Sequence, residues 1–117
     1  MATVINGSDN FNTNNVATQT ELDAQPSPLG VGQTWQDVTA SRASGTTYTN
    51  TTGKSICVMA NSTYSTSTTF WMFINGTQVY GTNGTSSVGQ RNAGFMIVPN
   101  GSTYSVTTTI ERWWELR

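Results

Sequence analysis

The run from Phe70 to Tyr80 constrains the fold more than any other stretch of the chain. Residues 70–74 are β-forming, Asn75-Gly76 follows them, and residues 77–80 continue with a further β-forming run. Asn-Gly is the strongest short-range signal for a two-residue β-hairpin turn, because both residues tolerate positive φ. With this turn, the sequence predicts that Met72 pairs with Val79 across the hairpin and that Trp71 pairs with Tyr80.

Both faces of the predicted hairpin are apolar. Strand residues point alternately to opposite sides. One face carries Phe70, Met72, Ile74 and Val79, and the other carries Trp71, Phe73 and Tyr80. A hairpin with one side in water shows polar residues on that side. The second face must therefore be covered by another sheet, another chain or a ligand.

Other short apolar clusters, separated by turn residues, predict an all-β chain. The predicted strands cover residues 33–39, 46–50, 54–60, 69–74, 77–80, 93–98, 103–107 and 108–117. Residues 61–67 and 81–89 are polar and predict exposed loops, the second with Asn83-Gly84 at its tip. Turn signals every 8 to 12 residues are typical of an antiparallel β-sandwich, here of seven to eight strands.

Alternation within these runs predicts which side chains face inward. Ile56 and Val58 share one face of their strand, and Cys57 and Met59 share the other. In the run around Trp35, two arrangements are open. Trp35 points inward beside Asp37, or a bulge separates Val31, Trp35 and Val38.

The N-terminal quarter differs from the rest of the chain. Residues 1–15 are rich in Asn, Ser and Thr and predict a loosely ordered arm. Thr18 and Glu21 have the capping-box spacing of a helix start, and Pro26 and Pro28 limit that helix to one or two turns. The helix is either a capped turn in a linker or a neck that packs against copies of itself. We therefore divide the chain into an N-terminal arm and neck or attachment segment, 1–28, and a β-sandwich tip domain, 29–117.

Composition argues against several classes of partner. Charged residues make up 9% of the chain and the net charge is −1, so no basic surface for nucleic acid or anionic membrane is expected. Cys57 is the only cysteine, which rules out an internal disulfide and predicts a small buried thiol. The first six residues lack the basic and apolar parts of a signal peptide. We expect a chain made in a reducing cytoplasm.

Catalysis is not expected either. The chain has no histidine, which excludes Ser-His-Asp and Cys-His catalysis and histidine-ligated zinc. Its six carboxylates are Asp9, Glu21, Asp23, Asp37, Glu111 and Glu115. Nothing in their spacing favours the pair that a glycosidase needs across one cleft, and no phosphate or calcium loop is present. We predict no enzyme activity, no cofactor and no metal.

Two groups of residues carry a resemblance to a known family. The string Gly32–Thr39, then Arg42 and Tyr48-Thr49-Asn50, then Thr52-Gly53-Lys54, is similar to the tip module that ends many tail fibre proteins of tailed phages and prophages. Residues 98–104, Val-Pro-Asn-Gly-Ser-Thr-Tyr, resemble the Val-Pro-x-Gly turn before a tyrosine-bearing strand in such modules. The resemblance spans about residues 30–117. This chain departs from a typical fibre in having no room for a long shaft.

The resemblance implies a homotrimeric β-sandwich at the distal end of a fibre. Such a module is part of the virion, attaches to tail or capsid proteins through its N-terminal segment, and contacts a bacterial surface glycan or outer-membrane component. The alternative is a capsid decoration, head fibre or fibre connector with a purely structural role. In both cases the chain is made in the host cytoplasm and carries no catalytic or membrane-inserting part.

Candidate site residues follow from these expectations. Tyr64 and Asn83 in the two predicted loops are receptor candidates, since aromatic and amide groups stack on and hydrogen-bond to sugars. Arg42 and Tyr48 are further receptor candidates, for which a structural role is the stronger alternative. Asp37 is predicted to pair with Arg42.

The predicted subunit interface involves the second hairpin face and the C-terminal strand. Its members are Trp71, Phe73, Tyr80, Trp113 and Trp114. Adjacent tryptophans point to opposite faces of a strand, so one enters the core and the other meets a neighbouring subunit. Two alternatives remain, in which both cap one edge of the core or one stacks on a ligand. The charged residues around them, Glu111, Arg112, Glu115 and Arg117, are predicted to pair across the interface.

Overall fold

The computed structural model describes residues 18–25 and 27–117. These residues form eight antiparallel strands, one short α-helix and one 3₁₀-helical turn. The strands are β1 (Trp35–Asp37), β2 (Tyr48–Thr49), β3 (Ile56–Ser62), β4 (Ser65–Ile74), β5 (Thr77–Gln90), β6 (Ala93–Val98), β7 (Thr103–Thr107) and β8 (Ile110–Leu116). The 3₁₀ turn, Thr39–Ser41, follows β1. The predicted all-β class is confirmed.

The strands form two four-stranded sheets. Sheet 1 has the order β1-β8-β3-β6, and sheet 2 has the order β2-β7-β4-β5. Every strand pair is antiparallel. Strands β6 and β7 are consecutive in the chain and lie in different sheets, as do β2 and β3, so the chain passes between the sheets more than once.

Buried side chains from both sheets form one apolar cluster. The cluster includes Ile56, Val58, Ala60, Met96, Val98 and Trp113 from sheet 1 and Phe70, Met72, Tyr104 and Val106 from sheet 2. Cys57 and Met59 lie on the opposite face of β3 from Ile56 and Val58, as alternation predicts. The core of the described residues therefore lies where the two sheets meet.

The predicted hairpin is present, but its register differs beyond the turn. Asn75 and Gly76 have φ of 49° and 77°, the left-handed values that an Asn-Gly turn requires. Beyond the Phe73–Gln78 pair a bulge shifts the strands, so that Met72 pairs with Tyr80 and not with Val79. The predicted faces are corrected accordingly. Val79 is half exposed, and Tyr80 contacts Phe70 edge-on with a 5.9 Å centroid separation.

Both predicted polar loops are wrong. Strand β4 begins at Ser65, so only Thr63 and Tyr64 separate β3 from β4. Strand β5 continues to Gln90, and Asn83 pairs with Thr69 within it instead of lying at a loop tip. These segments lack the apolar alternation that marks a strand, but their backbones continue the β4–β5 ladder with an irregularity near Gly89.

The short helix at the N-terminal side is confirmed. Helix α1 runs from Gln19 to Asp23, and Thr18 and Glu21 form the predicted capping box. All of its residues are exposed. The predicted arm at residues 1–15 lies outside the described residues. In the described part of the chain, no helix is long and apolar enough to span a membrane.

Two of the strings that carry the family resemblance contact each other. The Asn50 side-chain amide donates to the backbone oxygens of Lys54 and Val98, at 2.7 and 2.9 Å. Its oxygen accepts from the backbone and hydroxyl of Thr52. The backbone of Asn50 also accepts from Gly101. Asn50 is almost fully buried, so this one residue joins the segment around residue 52 to the turn at residues 99–101.

The outer faces of the two sheets differ in chemistry. On sheet 1, one cross-strand row contains Trp35, Leu116, Cys57 and Ile97, and the next contains Asp37, Trp114, Met59 and Phe95. We call the seven apolar members of these two rows the apolar outer face. Trp35 belongs to it, so the inward orientation is wrong. On sheet 2, the outward residues of β7 and β4 are mainly Ser and Thr around Trp71 and Phe73.

Candidate functional site

An open groove of about 760 Å³ lies at one end of the two sheets. The β3–β4 turn at Thr63-Tyr64, the β7–β8 turn at Thr108-Thr109 and residues 39–44 surround it, and part of β4 forms its floor. Serine and threonine supply eleven of its fourteen lining residues, so hydroxyl groups dominate its surface. We call it the hydroxyl groove.

Hydrogen bonds fix the walls of the hydroxyl groove to one another. The backbone of Thr63 donates to the backbone oxygen of Thr109 at 2.8 Å, which joins the two turns. The backbone of Thr108 donates to the hydroxyl of Ser44 at 3.1 Å, which joins the second turn to the segment after β1. The groove is therefore preformed by short-range contacts among the segments that line it.

Tyr64 provides the exposed aromatic surface of the groove. Its ring is 60% exposed, and its hydroxyl donates to the backbone oxygen of Val88. The guanidinium of Arg91 lies 6.0 Å from the ring centroid. These contacts orient the ring while leaving much of it free, which is the arrangement that stacks on the apolar side of a sugar.

The lining of the hydroxyl groove suits binding and offers no acid, base or nucleophile pair. Hydroxyl groups both donate and accept hydrogen bonds, so they match the hydroxyls of a polyol. No carboxylate, histidine or cysteine is among the described residues that line the groove. No cluster of three metal-ligating side chains occurs in residues 18–25 and 27–117. The groove can therefore hold a neutral, hydroxyl-rich ligand by contact alone.

Asn83 lies at a second, separate groove. This groove of about 480 Å³ is open to solvent and is lined by Ser67–Thr69, Trp71 and Asn83–Thr85. Residues 67–69 also line the hydroxyl groove, so the two grooves share one segment of β4. The structure thus does not bring Tyr64 and Asn83 to one site.

Arg42, which lines the hydroxyl groove, also belongs to a buried carboxylate cluster. Glu115 is fully buried and accepts five hydrogen bonds of 2.8 to 3.1 Å. The donors are Arg42 (two bonds), Tyr104, Trp113 and Arg117. Because Tyr104 belongs to sheet 2 and Glu115 to sheet 1, the carboxylate joins the two sheets through the core.

The pKa values of this cluster follow from its contacts. Burial raises the pKa of Glu115, but the hydrogen bonds and charges of Arg42 and its neighbours outweigh burial, so the pKa lies below its usual value. Burial, and then the hydrogen bond to ionised Glu115, raise the pKa of Tyr104 to about 12. At neutral pH, Glu115 is therefore ionised and paired with Arg42, and its carboxylate already accepts five hydrogen bonds within the chain.

Arg42 and Tyr48 belong to this cluster. The guanidinium of Arg42 pairs with Glu115 and stacks 4.5 Å from the centroid of the Tyr48 ring. The hydroxyl of Tyr48 accepts from the backbone of Ala43 at 2.8 Å, and its ring contacts Trp113 edge-on. Both side chains are used internally, which agrees with the structural alternative for them.

The predicted Asp37–Arg42 pair is wrong, and Glu111 and Glu115 have partners within their own chain. Asp37 accepts two hydrogen bonds from Thr39, and its nearest cation is Arg112 at 4.0 Å, not Arg42. Glu115 pairs within its own chain with Arg42 and Arg117. Glu111 likewise pairs with Arg91 at 2.7 Å. These carboxylates are therefore partnered without a neighbouring subunit.

The predicted interface residues lie in different parts of the fold. Trp113 is fully buried in the core, so it has no surface for a neighbouring subunit to contact. Trp114 lies on the apolar outer face, between Asp37 and Met59, which excludes the arrangement in which both tryptophans cap one core edge. Trp71 and Phe73 contact each other on sheet 2, with ring centroids 6.5 Å apart. Tyr80 lies on the other side of that sheet, against Phe70.

Two features of the site were not found from the sequence. The hydroxyl groove depends on Ser and Thr residues from four separate segments, and Ser and Thr are too common in this chain to mark a site. The bond between Arg42 and Glu115 spans 73 positions, with no sequence pattern to pair them. In comparisons with known proteins, no family model, no curated protein and no solved structure matched this chain.

Proposed function

We propose that this chain is a virion protein whose β-sandwich forms a fibre-like tip that binds the bacterial host surface without catalysis. In this proposal it assembles as a homotrimer and attaches to tail or capsid proteins through residues 1–28. The receptor is a surface glycan or a glycan-bearing outer-membrane component. The residue strings that resemble phage tail fibre tips, and the surface chemistry of the described residues, support it.

The observation that carries the receptor role is the hydroxyl groove with Tyr64 at its edge. The eleven serine and threonine residues of the groove offer hydrogen bonds to a neutral sugar, and the exposed ring of Tyr64 offers a stacking surface. The groove lies among turns, where recognition surfaces are commonly found. Because its lining holds no carboxylate, its chemistry favours recognition over hydrolysis.

The structural strings support the fibre-tip proposal in a second way. Asn50, Arg42, Tyr48 and Tyr104 belong to the resemblance-bearing segments, and each uses its side chain in hydrogen bonds within the chain. These bonds stabilise the segments on which the groove-lining turns are presented. A scaffold of this kind suits a module that binds a receptor through its turns.

A purely structural role is the second candidate, and the apolar outer face favours it. A capsid decoration or fibre connector needs an extended protein contact surface and no receptor groove. Phe95, Trp35, Met59 and Ile97 provide such a surface. Under this alternative, the protein binds purified capsids or tails and leaves host cells unlabelled.

Binding of the fluorescently labelled protein to a panel of bacterial strains tests the proposal. We expect labelling of some strains, loss of at least about 10-fold in affinity for Tyr64→Ala, and no change for Val79→Ala, which truncates a half-exposed side chain elsewhere. Tyr64→Phe keeps the ring and is expected to retain most of the binding. Labelling that Tyr64→Ala leaves intact, or binding to capsids and tails alone, would contradict the receptor role of the groove.

A further inference from the structure

The apolar outer face of sheet 1 is a continuous surface of large side chains. Phe95 is 66% exposed, Trp35 is 47% exposed, and Met59 and Ile97 are each 42% exposed. They come from three strands, β1, β3 and β6, and lie in adjacent cross-strand rows that Trp114 and Leu116 of β8 complete. Isolated apolar residues are normal on a surface, whereas a contiguous patch of this kind marks an interaction site.

The exposed area of this face matches what a stable protein contact requires. The four most exposed side chains together present on the order of 400 Å² of apolar surface. A standard interface buries about 800 Å² per partner, of which somewhat more than half is apolar. The face therefore supplies the apolar part of one such interface before Trp114 and Leu116 are counted.

The charges beside the face are self-complementary. Asp37 lies at the β1 end of the second row, and Arg112 lies two positions before Trp114 on β8. Their closest charged atoms are 4.0 Å apart and both side chains are well exposed. Two copies of the face thus approach without net repulsion, and Asp37 of one copy can pair with Arg112 of another. A nucleic acid or anionic lipid would need an excess of basic residues here.

We infer that the apolar outer face is the contact surface between copies of this chain. This inference rests on the proposed oligomeric assembly. Of the predicted interface residues it keeps Trp114 on sheet 1 and leaves Trp71 and Phe73 of sheet 2 outside the contact. Trp71 and Phe73 are only partly exposed and lie among hydroxyl residues, whereas the sheet 1 face is apolar across four strands. Residues 1–17 contain Phe11 as their single aromatic residue and are otherwise mainly polar, so they match this face less well than a second copy does.

Sedimentation equilibrium at micromolar concentrations tests the inference. The wild-type chain is expected to assemble, and Phe95→Glu is expected to raise the dissociation constant of the assembly by about 30-fold or more, as at an interface hot spot. Val88→Glu is the matched control, because Val88 is a 75% exposed apolar residue on β5 of sheet 2. It is expected to assemble like the wild type. Ile97→Ser repeats the test if circular dichroism shows that Phe95→Glu does not fold.

Four outcomes would overturn the inference. They are a monomeric wild type, equal assembly of Phe95→Glu and Val88→Glu, assembly that appears only after deletion of residues 1–17, and binding to phosphatidylcholine vesicles by a monomer. Assembly that Trp71→Ser abolishes and Phe95→Glu does not would also overturn the inference, but it would leave the proposed oligomeric assembly standing. Host-cell labelling by the wild-type chain is measured separately, so a failure of the receptor proposal is distinguishable from a failure of this one.

Discussion

The guanidinium of Arg42 donates to both carboxylate oxygens of Glu115, at 2.8 and 3.0 Å, inside the core. Tyr104 of sheet 2 and Trp113 of sheet 1 donate to the same carboxylate. A fully buried charge is tolerated only when it is paired and hydrogen-bonded. The position of Glu115 is therefore one of the strongest constraints on how the two sheets meet, and stability measurements can test it.

Removal of this carboxylate is expected to destabilise the protein strongly. Glu115→Ala leaves the largely buried Arg42 guanidinium without its counter-charge and removes the acceptor of Tyr104. Breaking one side of a buried ion pair costs about 3–5 kcal/mol. Urea unfolding should show that loss in the free energy of unfolding.

Glu111→Ala is the control for this measurement. Glu111 pairs with Arg91, but both side chains are substantially exposed. Exposed pairs contribute less than about 1 kcal/mol. A loss at Glu115 no larger than the loss at Glu111 would show that the buried cluster does not hold the fold together.

Stability is expected to fall at both ends of the pH range. The pKa of Glu115 is lowered in the folded chain, so its contribution is present above the unfolded value near 4.5 and is lost as the pH falls through the folded pKa. Hydrogen bonds from Thr39 lower the pKa of Asp37 and act in the same direction. Tyr104 has a folded pKa of about 12, raised from 10.0, so its contribution is complete below pH 10 and is lost between pH 10 and 12.

Chemical unfolding at a series of pH values measures both limbs of this profile. Tyr104→Phe is expected to flatten the alkaline limb, and the acid limb should remain. A difference between the tyrosinate absorbance titrations of the wild type and Tyr104→Phe that is centred near pH 10 would contradict the raised pKa of Tyr104.

Asn50→Ala is expected to cost about 1–3 kcal/mol. The substitution leaves the backbone oxygens of Val98 and Lys54 and the backbone donor of Thr52 without their partner in a buried position. Asn83→Ala is the control, because Asn83 is exposed on β5. Thermal unfolding of the two variants should differ clearly, and equal midpoints would reject the structural role of Asn50.

Gly76→Ala is expected to lower stability by about 1–2 kcal/mol. The cost is purely conformational, because Gly76 has φ of 77° while an added Cβ would meet no atom within 4 Å. Thr77→Ala changes the neighbouring exposed position and should stay within about 0.5 kcal/mol of the wild type. A Gly76→Ala variant as stable as Thr77→Ala would mean that the turn conformation is not as described.

Local sequence signals predicted the parts of the fold that depend on neighbours in the chain. The Asn75-Gly76 turn, the Thr18–Glu21 capping box and the faces of β3 all follow from short spacings. The bulge that places Tyr80 opposite Met72 has no glycine or proline to mark it. The pattern of apolar residues therefore could not predict the strand register beyond the Asn75-Gly76 turn.

Residues 65–69 and 81–90 show a second reason why sequence signals failed to predict part of the fold. Their Ser, Thr, Asn and Gly content is typical of loops, but the regular hairpin before them continues its backbone hydrogen bonding into these residues. The candidate site was likewise only partly predictable from local sequence. Tyr64 was found because it is a lone aromatic residue in a polar stretch, whereas the groove beside it is assembled from segments distant in sequence.

Receptor binding in the hydroxyl groove is tested by hydrogen–deuterium exchange in the presence of the surface polysaccharide of a bacterial strain that the protein labels. We expect slower exchange in residues 62–65 and 107–110, the turns of the hydroxyl groove, and no such change in the Tyr64→Ala variant. Protection confined to residues 81–85 around Asn83, or no protection at saturating polysaccharide, would contradict it.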